Sequence, residues 1–307
     1  MWDNDAIYII SHLFLKVLLE YTFYTCYNKY IKKKSGDSKM AFHDTTATQI
    51  TNINLNVKDL DTMMTYYTNI LGFKVISQTE DKAVLGIGNS GHTLTMNVLK
   101  DGRQPAASEA GLFHIAYLLP TDTDLANFLY FVANKGMRIG AGDHLVSQAF
   151  YFNDPEGNGI EVYSDRPSEG WTWNDGFVKM DTLEVDGPKL LLERTEDGWD
   201  GMPDNAKIGH LHLKTHHIEE AKDFYINQIG FQHISKLPQA LFMSTNQYHH
   251  HLATNTWQSS KKREDNDNSY GLTGFDIYKP NHSEETLTSP EGLTVHLHSD
   301  QTKVPQA

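Results

Sequence analysis

The sequence predicts an α+β fold of four β-α-β-β-β modules, the fourth abridged, that form two open β-barrel-like domains. Two types of strand-and-helix unit each occur twice along the chain, and their strands alternate apolar and polar residues. Internal repeats are informative because the copies of a unit must satisfy the same packing. The repeats therefore define the modules on which the candidate functional residues lie.

The first type of unit defines modules 1 and 3. Residues 50–57 and 208–215 alternate apolar and polar side chains, which is the period of a half-buried strand. A helical stretch with an acidic start follows in each copy, at residues 60–70 and 218–229. Both stretches end in a Gly-Phe pair, and Gly72 and Gly230 stand where a helix C-cap favours a positive φ. Further strands close the units at residues 94–99 and 250–257.

The second type of unit defines modules 2 and 4. These modules begin at residues 111–120 and 271–280. Both contain a Pro-Glu-Gly turn, but the distance to that turn differs. In module 2, 35 positions separate Pro120 from Pro155, and residues 125–135 predict a helix between them. In module 4, only 10 positions separate Pro280 from Pro290, so this copy has lost its helix.

These repeats predict two domains and a connector. We expect residues 49–165 to form the first domain from modules 1 and 2, and residues 208–299 to form the second from modules 3 and 4. Residues 166–207 read as the connection between them, and we interpret its tryptophans as packing residues.

Residues 1–39 form an N-terminal extension that is rich in aromatic and aliphatic side chains. Three interpretations stay open: a translated leader ahead of a natural start at Met40, a membrane anchor, or a genuine appended helix. His12, Lys16 and Glu20 weigh against an anchor because charged groups are costly within a membrane span. The stretch also lacks the features of a signal peptide.

The composition excludes some functions. A formal net charge of -13 repels phosphate backbones, so we expect no nucleic-acid partner. The only cysteine, Cys26, allows no intramolecular disulfide and no thiolate metal cluster, which fits a cytoplasmic protein. Sixteen histidines make the position of each along the modules informative, because histidine serves as metal ligand and as acid or base near neutral pH.

Three residues stand at matching places in the modules. His114 lies on the first strand of module 2 and His210 on the first strand of module 3, while Glu161 lies on the last strand of module 2. His212 shares the face of His210, so the period of two cannot choose between them, and the alignment of the repeats favours His210.

Because of these repeats and the strands that contain the three residues, residues 49–299 resemble the vicinal-oxygen-chelate superfamily. This superfamily includes glyoxalase I, bleomycin-resistance proteins and extradiol dioxygenases. The pattern is most similar to bacterial catechol 2,3-dioxygenases. The resemblance implies that His114, Glu161 and His210 bind a metal ion. Two histidines and one carboxylate suit non-haem Fe(II), with Mn, Ni or Zn as alternatives. Three positions would then stay open for two catecholate oxygens and dioxygen.

The resemblance also implies catalytic residues. The histidine run at residues 249–251 looks like the paired-histidine strand of extradiol dioxygenases, which makes His250 the acid/base with a pKa near neutrality. Tyr151 stands where that family places a tyrosine that hydrogen-bonds the substrate oxygen. His144 resembles a further histidine of the family, although it lies about two residues closer to Tyr151 than expected.

One departure predicts how the modules pair. In many extradiol enzymes the ligands come from modules 3 and 4, but module 4 offers only Phe275 on its first strand and Val295 or His296 on its last. Module 1 offers Asn52 and Asn54 where module 3 has its histidines. A complete ligand set therefore requires module 2 to pair with module 3, and modules 1 and 4 to form a metal-free barrel.

The expected function is extradiol cleavage of a catechol-type substrate by dioxygen in aromatic catabolism. A homo-oligomer is possible, and no membrane partner is expected unless the extension is an anchor. Two alternatives stay open. The chain could be a glyoxalase-like isomerase or thiol transferase with a fourth metal ligand, or a metal-free protein that sequesters a small molecule, since one architecture hosts all three.

Overall fold

The computed structural model describes residues 42–305, and the N-terminal extension predicted at residues 1–39 lies outside them. The helices are α1 (Leu60–Asn69), α2 (Asp122–Asn134), α3 (Gly187–Leu191) and α4 (Ile218–Lys222), which a π-helical segment continues over Asp223–Ile229. The strands are β1 (Gln49–Val57), β2 (Lys74–Gln78), β3 (Lys82–Gly86), β4 (Thr93–Val98), β5 (Gly111–Leu119), β6 (Gly140–Asp143), β7 (Ser147–Asn153), β8 (Gly159–Asp165), β9 (Trp173–Asn174), β10 (Phe177–Val178), β11 (Lys207–Lys214), β12 (Gln232–Leu237), β13 (Ala240–Ser244), β14 (Leu252–Asn255), β15 (Gly271–Tyr278), β16 (Glu285–Thr288) and β17 (Thr294–His298).

Two large sheets contain the four modules. One has the order β16-β17-β15-β1-β4-β3-β2 and combines modules 1 and 4; the other has the order β12-β13-β14-β11-β5-β8-β7-β6 and combines modules 2 and 3. We call them the 1+4 sheet and the 2+3 sheet. The predicted α+β fold and the predicted cross-pairing of modules are confirmed, and module 4 has no helix between β15 and β16. Each sheet takes strands from both predicted domains, and the division of the chain into those domains stays a prediction.

The central strand pairs of the two sheets have the same irregularities. In the 2+3 sheet, β11 pairs antiparallel with β5, and the register shifts at Gly209 on one strand and at Phe113 on the other. In the 1+4 sheet, β1 pairs with β15, and the register shifts at the corresponding Thr51 and Thr273. Bulges of this kind re-aim side chains and are frequent beside active sites. The two sheets thus offer equivalent backbone positions for functional groups.

The core lies where the apolar side of each sheet packs against the helices. Ile53 and Leu55 on β1 are fully buried there, and so is Phe275 on β15. The registers place Gly274, and not Phe275, at the position equivalent to His114. Module 4 therefore offers Gly274 at the place of a ligand, and not Phe275 as inferred from the sequence, because a bulge at Thr273 turns the aromatic side chain into the core.

The glycines that end the helices of modules 1 and 3 have the expected conformation. Gly72 has a φ of 70° and Gly230 a φ of 98°. A side chain at Gly72 would also be blocked, since its Cβ would lie 2.3 Å from the Cα of Gly201 in the connector. The connector thus packs directly on the end of α1.

The connector is held by its tryptophans. The ring of Trp171 stacks on Phe42 with centroids 5.3 Å apart. The indole of Trp199 donates a hydrogen bond of 3.1 Å to the carbonyl oxygen of Ile70 and contacts Phe128 edge-on. Both residues pack against the fold, as interpreted from the sequence. No helix in residues 42–305 is long and apolar enough to cross a membrane.

Candidate metal centre and active site

The candidate ligands lie on three adjacent strands of the 2+3 sheet. His114 is on β5, Glu161 on the neighbouring β8, and His210 on β11 at the other side of β5. Their chain neighbours Ile115 and Leu211 face the core. Because side chains alternate along a strand, the three polar groups are left together on the opposite face.

The three side chains converge on one point. Oε2 of Glu161 lies 2.9 Å from Nε2 of His114 and 3.3 Å from Nε2 of His210, and the two Nε2 atoms are 3.4 Å apart. The ligand atoms of these three side chains all lie within 4.8 Å of one another. Among the described residues, no other group of three or more candidate ligands does so. All three are buried. Two imidazole nitrogens and one carboxylate oxygen on a common point fit a divalent transition-metal ion.

Charge and burial act on this cluster together. Burial raises the pKa of the Glu161 carboxyl, but the facing imidazoles of His210 and His114 outweigh it and hold the pKa well below its usual range. Burial lowers the pKa of His210 to about 4, although the carboxylate opposes that shift. The set is therefore an ionised carboxylate beside a neutral imidazole, which are the protonation states that metal coordination requires.

His212, the alternative that the alternation left open, has a different partner. Its Nε2 accepts a hydrogen bond of 2.9 Å from the side-chain amide of Asn255. It is not a member of the converging group, although its ring lies 4.8 Å from that of His114. The structure therefore brings His210, and not His212, onto Glu161.

The paired histidines lie beside this cluster. The ring centroid of His250 is 4.0 Å from that of His210. We expected a strand here, but β14 begins only at Leu252, because the chain turns through Gln247, which has a φ of 63°. Burial, reinforced by His210, lowers the pKa of His250 well below its ordinary value, so the residue is an unprotonated base and not a group poised at neutrality.

A hydrogen-bond chain runs from His250 away from the cluster. Nδ1 of His250 lies 2.8 Å from Nδ1 of His249, and Nε2 of His249 lies 2.9 Å from Oδ1 of Asp165. The Tyr248 hydroxyl donates to the same Asp165 oxygen at 3.2 Å. The sequence interpretation missed His249 and Asp165. The signal was present, because Asp165 stands four residues after Glu161 on β8 and so shares its face.

Tyr151 and His144 form a second pair beside the cluster. Tyr151 lies directly opposite Glu161 in the β7–β8 ladder, and its ring centroid is 5.5 Å from that of His114. Its hydroxyl is 2.6 Å from Nε2 of His144. Burial, and then the Glu161 charge, raises the pKa of Tyr151 well above its ordinary value, so the phenol keeps its proton.

Gly209 leaves room for the tyrosine hydroxyls that pack behind the three candidate ligands. A Cβ at this bulged position would lie 1.9 Å from the Tyr163 hydroxyl. That hydroxyl is 2.6 Å from the hydroxyl of Tyr248, and the Tyr163 ring packs 5.1 Å from that of His210. The close approach of Tyr163 thus requires glycine immediately before the candidate ligand.

Comparisons with known proteins identify the family of this chain. A family model described as the Glyoxalase/Bleomycin resistance protein/Dioxygenase superfamily matches residues 49–162. The chain is 34% identical to the catechol-2,3-dioxygenase of Bacillus subtilis (strain 168), over 76% of this chain and 84% of that protein. It is 27% identical to biphenyl-2,3-diol 1,2-dioxygenase 3 of Rhodococcus globerulus, over 44% of this chain and 74% of that protein.

Solved structures show the same fold at low sequence identity. A putative dioxygenase from Bacillus subtilis has a TM-score of 0.53 at 11% identity, with 82% of this chain and 85% of that chain covered. A glyoxalase I mutant from Zea mays has a TM-score of 0.51 at 14% identity, with 81% and 92% covered. The chain therefore belongs to the Glyoxalase/Bleomycin resistance protein/Dioxygenase superfamily.

Proposed function

We propose that this protein is an Fe(II)-dependent extradiol dioxygenase that cleaves the ring of a catechol-type substrate. The observation that carries the proposal is the convergence of His114, Glu161 and His210 on one point, with the imidazole of His250 against it. The names of its relatives, a catechol-2,3-dioxygenase and a biphenyl-2,3-diol dioxygenase, support the same chemistry. Aromatic diols and dioxygen are its proposed substrates, and the cytoplasm its proposed location.

The three residues would hold Fe(II) through two nitrogens and one oxygen. When bound, the iron supplies a positive charge and open coordination positions that bring a vicinal diol and dioxygen together. The position of His250 supports a set of three protein ligands. Among the described residues, His250 is not part of the group whose ligand atoms all lie within 4.8 Å of one another. It is therefore left free to move a proton.

The chain behind His250 sets the position of that proton. Asp165 accepts a hydrogen bond from Nε2–H of His249, and we assign Nδ1 of His249 as the acceptor towards His250. Nδ1–H of His250 then donates to His249. Nε2 of His250 keeps its lone pair and can take a proton from a substrate hydroxyl, as a general base must. This arrangement resembles the orientation of a catalytic histidine by a carboxylate in hydrolase triads.

Tyr151 and His144 hold the second proton position. The carbonyl oxygen of Asp181 can only accept, so Nδ1–H of His144 donates to it at 2.8 Å and Nε2 is left as the acceptor. The hydroxyl of Tyr151 therefore donates to His144. The free lone pairs of the Tyr151 oxygen can accept a hydrogen bond from a substrate hydroxyl and orient the diol.

The overall reaction balances without another reactant. The carbon–carbon bond next to the diol breaks, and both atoms of one dioxygen enter the product as a carboxylate oxygen and an aldehyde oxygen. Catechol itself would give a yellow muconic semialdehyde.

Oxygen uptake tests this proposal. Iron-loaded protein mixed with catechol should consume one dioxygen per catechol and form the yellow product. Resorcinol, the isomer whose hydroxyls are not adjacent, is the matched control and should consume none. Iron-loaded protein that consumes no dioxygen with catechol, 3-methylcatechol or 4-methylcatechol would overturn the proposal.

A glyoxalase-like isomerase is the second candidate. The observation that favours it is the 4.0 Å contact between the His250 and His210 rings, since a fourth ligand would have to come from this side. In that case Zn, Ni or Mn would support the conversion of a thiol adduct and dioxygen would be irrelevant. Activity with Zn and no oxygen uptake with Fe(II) would favour this candidate.

A further inference from the structure

A buried polar pair that the proposed mechanism does not use lies beside the candidate ligands. It consists of His212 and Asn255, which are 3% and 0% exposed. Burying two polar side chains is costly unless their groups are hydrogen-bonded. The hydrogen bonds that this pair makes determine what it can offer to a ligand.

Backbone and side-chain donors fix the tautomer of His212. The backbone N–H of Trp257 donates to Oδ1 of Asn255 at 3.1 Å, so the orientation of the amide is determined. Its Nδ2 then donates to Nε2 of His212 at 2.9 Å. Because Nε2 accepts a hydrogen bond, it carries no hydrogen, and the ring hydrogen is on Nδ1. His212 is thereby held as an Nδ1–H donor.

This donor is available to a ligand. Within residues 42–305, the hydrogen bonds of His212 leave Nδ1 without an acceptor. Among the described residues, Nδ1 of His210 is a fully enclosed atom without a hydrogen-bond partner. Nδ1 of His212 is not one of these enclosed atoms. The Nδ1 atom of His212 is therefore not fully enclosed by the protein.

The ring that carries this donor lies between a candidate ligand and a partly exposed tryptophan. The His212 ring is 4.8 Å from that of His114 and 5.8 Å from that of Trp257. Trp257 is 45% exposed and is anchored by a hydrogen bond of 2.9 Å from its indole to the carbonyl oxygen of Pro238. Phe113, the bulged residue of β5, contacts both His212 and Trp257 edge-on. Aromatic faces thus surround a single polar donor.

We propose that His212 selects catechols that carry a hydrogen-bond-accepting oxygen on the ring, and that Asn255 is the positioning residue for His212. This inference rests on the proposed function. The two diol oxygens already have the metal, His250 and Tyr151 as partners. The Nδ1–H donor of His212, whose ring lies beside those of His114 and Trp257, is therefore left for a ring substituent, because a diol bound at the metal directs its other ring positions away from it.

Matched substrate pairs test the inference. A methoxy and an ethyl group have nearly the same shape, but only methoxy accepts a hydrogen bond, so 3-methoxycatechol is compared with 3-ethylcatechol and 4-methoxycatechol with 4-ethylcatechol. In at least one pair, His212→Leu should lower the methoxy-to-ethyl ratio of kcat/KM about tenfold relative to the wild type, the effect of one neutral hydrogen bond. His212→Asn should keep most of the ratio, because its amide nitrogen can stand near the position of Nδ1.

Dissociation constants measured without oxygen give a second readout that does not depend on turnover. They should show the same loss of methoxy preference in His212→Leu and a smaller loss in Asn255→Leu. An unchanged ratio in His212→Leu would overturn the inference, and so would an equal loss for catechol and for both members of each pair. Absence of oxygen uptake by the wild type with every catechol would instead contradict the proposed function.

Discussion

The 1+4 and 2+3 sheets have the same central strand pairing and the same bulges, yet only one of them brings metal ligands together among the described residues. Their registers make Asn52 equivalent to His210 and Gly274 equivalent to His114. The parallel pairs on either side make His296 equivalent to Glu161. The shared backbone provides three convergent positions, and the side chains at those positions decide whether they form a site.

The polar residues of the 1+4 sheet bond to one another instead. Oδ1 of Asn52 accepts hydrogen bonds from the hydroxyls of Thr93 and Thr95, and its Nδ2 donates to Asn54. The imidazole of His296 lies 3.2 Å from the Thr286 hydroxyl. With glycine at the third position and asparagine in place of His210, the 1+4 sheet lacks the second imidazole of the 2+3 sheet, and the described residues form no group of three candidate ligands there. The comparison therefore predicts one metal site per chain.

The largest expected effect comes from removing the carboxylate of the 2+3 sheet. Glu161→Gln should bind no Fe(II) and lose activity by roughly a thousandfold or more, because a neutral amide replaces the charged ligand. Iron content after anaerobic loading and kcat with catechol measure both effects. His296→Gln, the matched change in the 1+4 sheet, should keep iron and activity. Equal iron loss in the two variants would contradict the difference between the sheets.

Removal of the proposed base should separate metal binding from turnover. His250→Ala should keep stoichiometric iron but lower kcat by about a hundredfold to ten-thousandfold, the usual range for general acid–base catalysis. Iron analysis and steady-state kinetics on one preparation measure the two effects. An unchanged kcat would exclude His250 from proton transfer, and loss of iron would instead make it a fourth ligand.

The hydrogen-bond chain behind His250 should have a smaller effect. Asp165→Ala removes the acceptor that orients His249, so kcat should fall about tenfold to a hundredfold while KM and iron content stay the same. Asp165→Asn keeps an oxygen that accepts from Nε2–H of His249 and should restore most of the activity. If Asp165→Asn were as impaired as Asp165→Ala, the orientation of His249 would not be the role of this carboxylate.

A last prediction concerns stability, and not activity, at the joint between the sheets, where Nδ1 of His92 accepts a hydrogen bond of 3.1 Å from the backbone N–H of Ile208. Burial, then the charge of Lys207 and the imidazole of His251, lowers the pKa of His92 to about 3. Because this pKa lies below the unfolded value of 6.5, the contribution of neutral His92 to the free energy of unfolding is complete above pH 6.5. It is lost as the pH falls from 6.5 towards 3. The loss amounts to about 1.4 kcal/mol per pH unit.

Denaturant unfolding between pH 7 and pH 4 measures that slope. His92→Asn keeps an acceptor oxygen for Ile208 but has no titratable group, so its free energy of unfolding should fall less steeply with decreasing pH than that of the wild type. Parallel pH dependences in the two proteins would contradict a neutral, buried His92 as one source of acid sensitivity.

Much of the fold could be predicted because the internal repeats define the four modules. The Gly-Phe endings at Gly72 and Gly230 and the short interval before Pro290 defined the modules. The absence of a glutamate from the last strand of module 4 predicted that modules 2 and 3 share a sheet. The choice of His210 over His212 needed the alignment of repeats, since both side chains have the same strand face.

The remaining features depend on geometry that one sequence does not encode locally. The bulge at Thr273 turned Phe275 into the core, and periodicity alone cannot locate such an insertion. Asp165 and Asn255 act through histidines that are distant in sequence, so only the folded chain shows the bonds that set their tautomers. Residues of this kind are identified by hydrogen-bond partners and not by spacing.

The most direct measurement of the central claim is anomalous diffraction at the iron edge from crystals loaded with Fe(II) without oxygen. We expect one peak per chain, in the 2+3 sheet between Nε2 of His114, Nε2 of His210 and the carboxylate of Glu161. A peak in the 1+4 sheet beside His296, or iron bound away from these three side chains, would contradict the account.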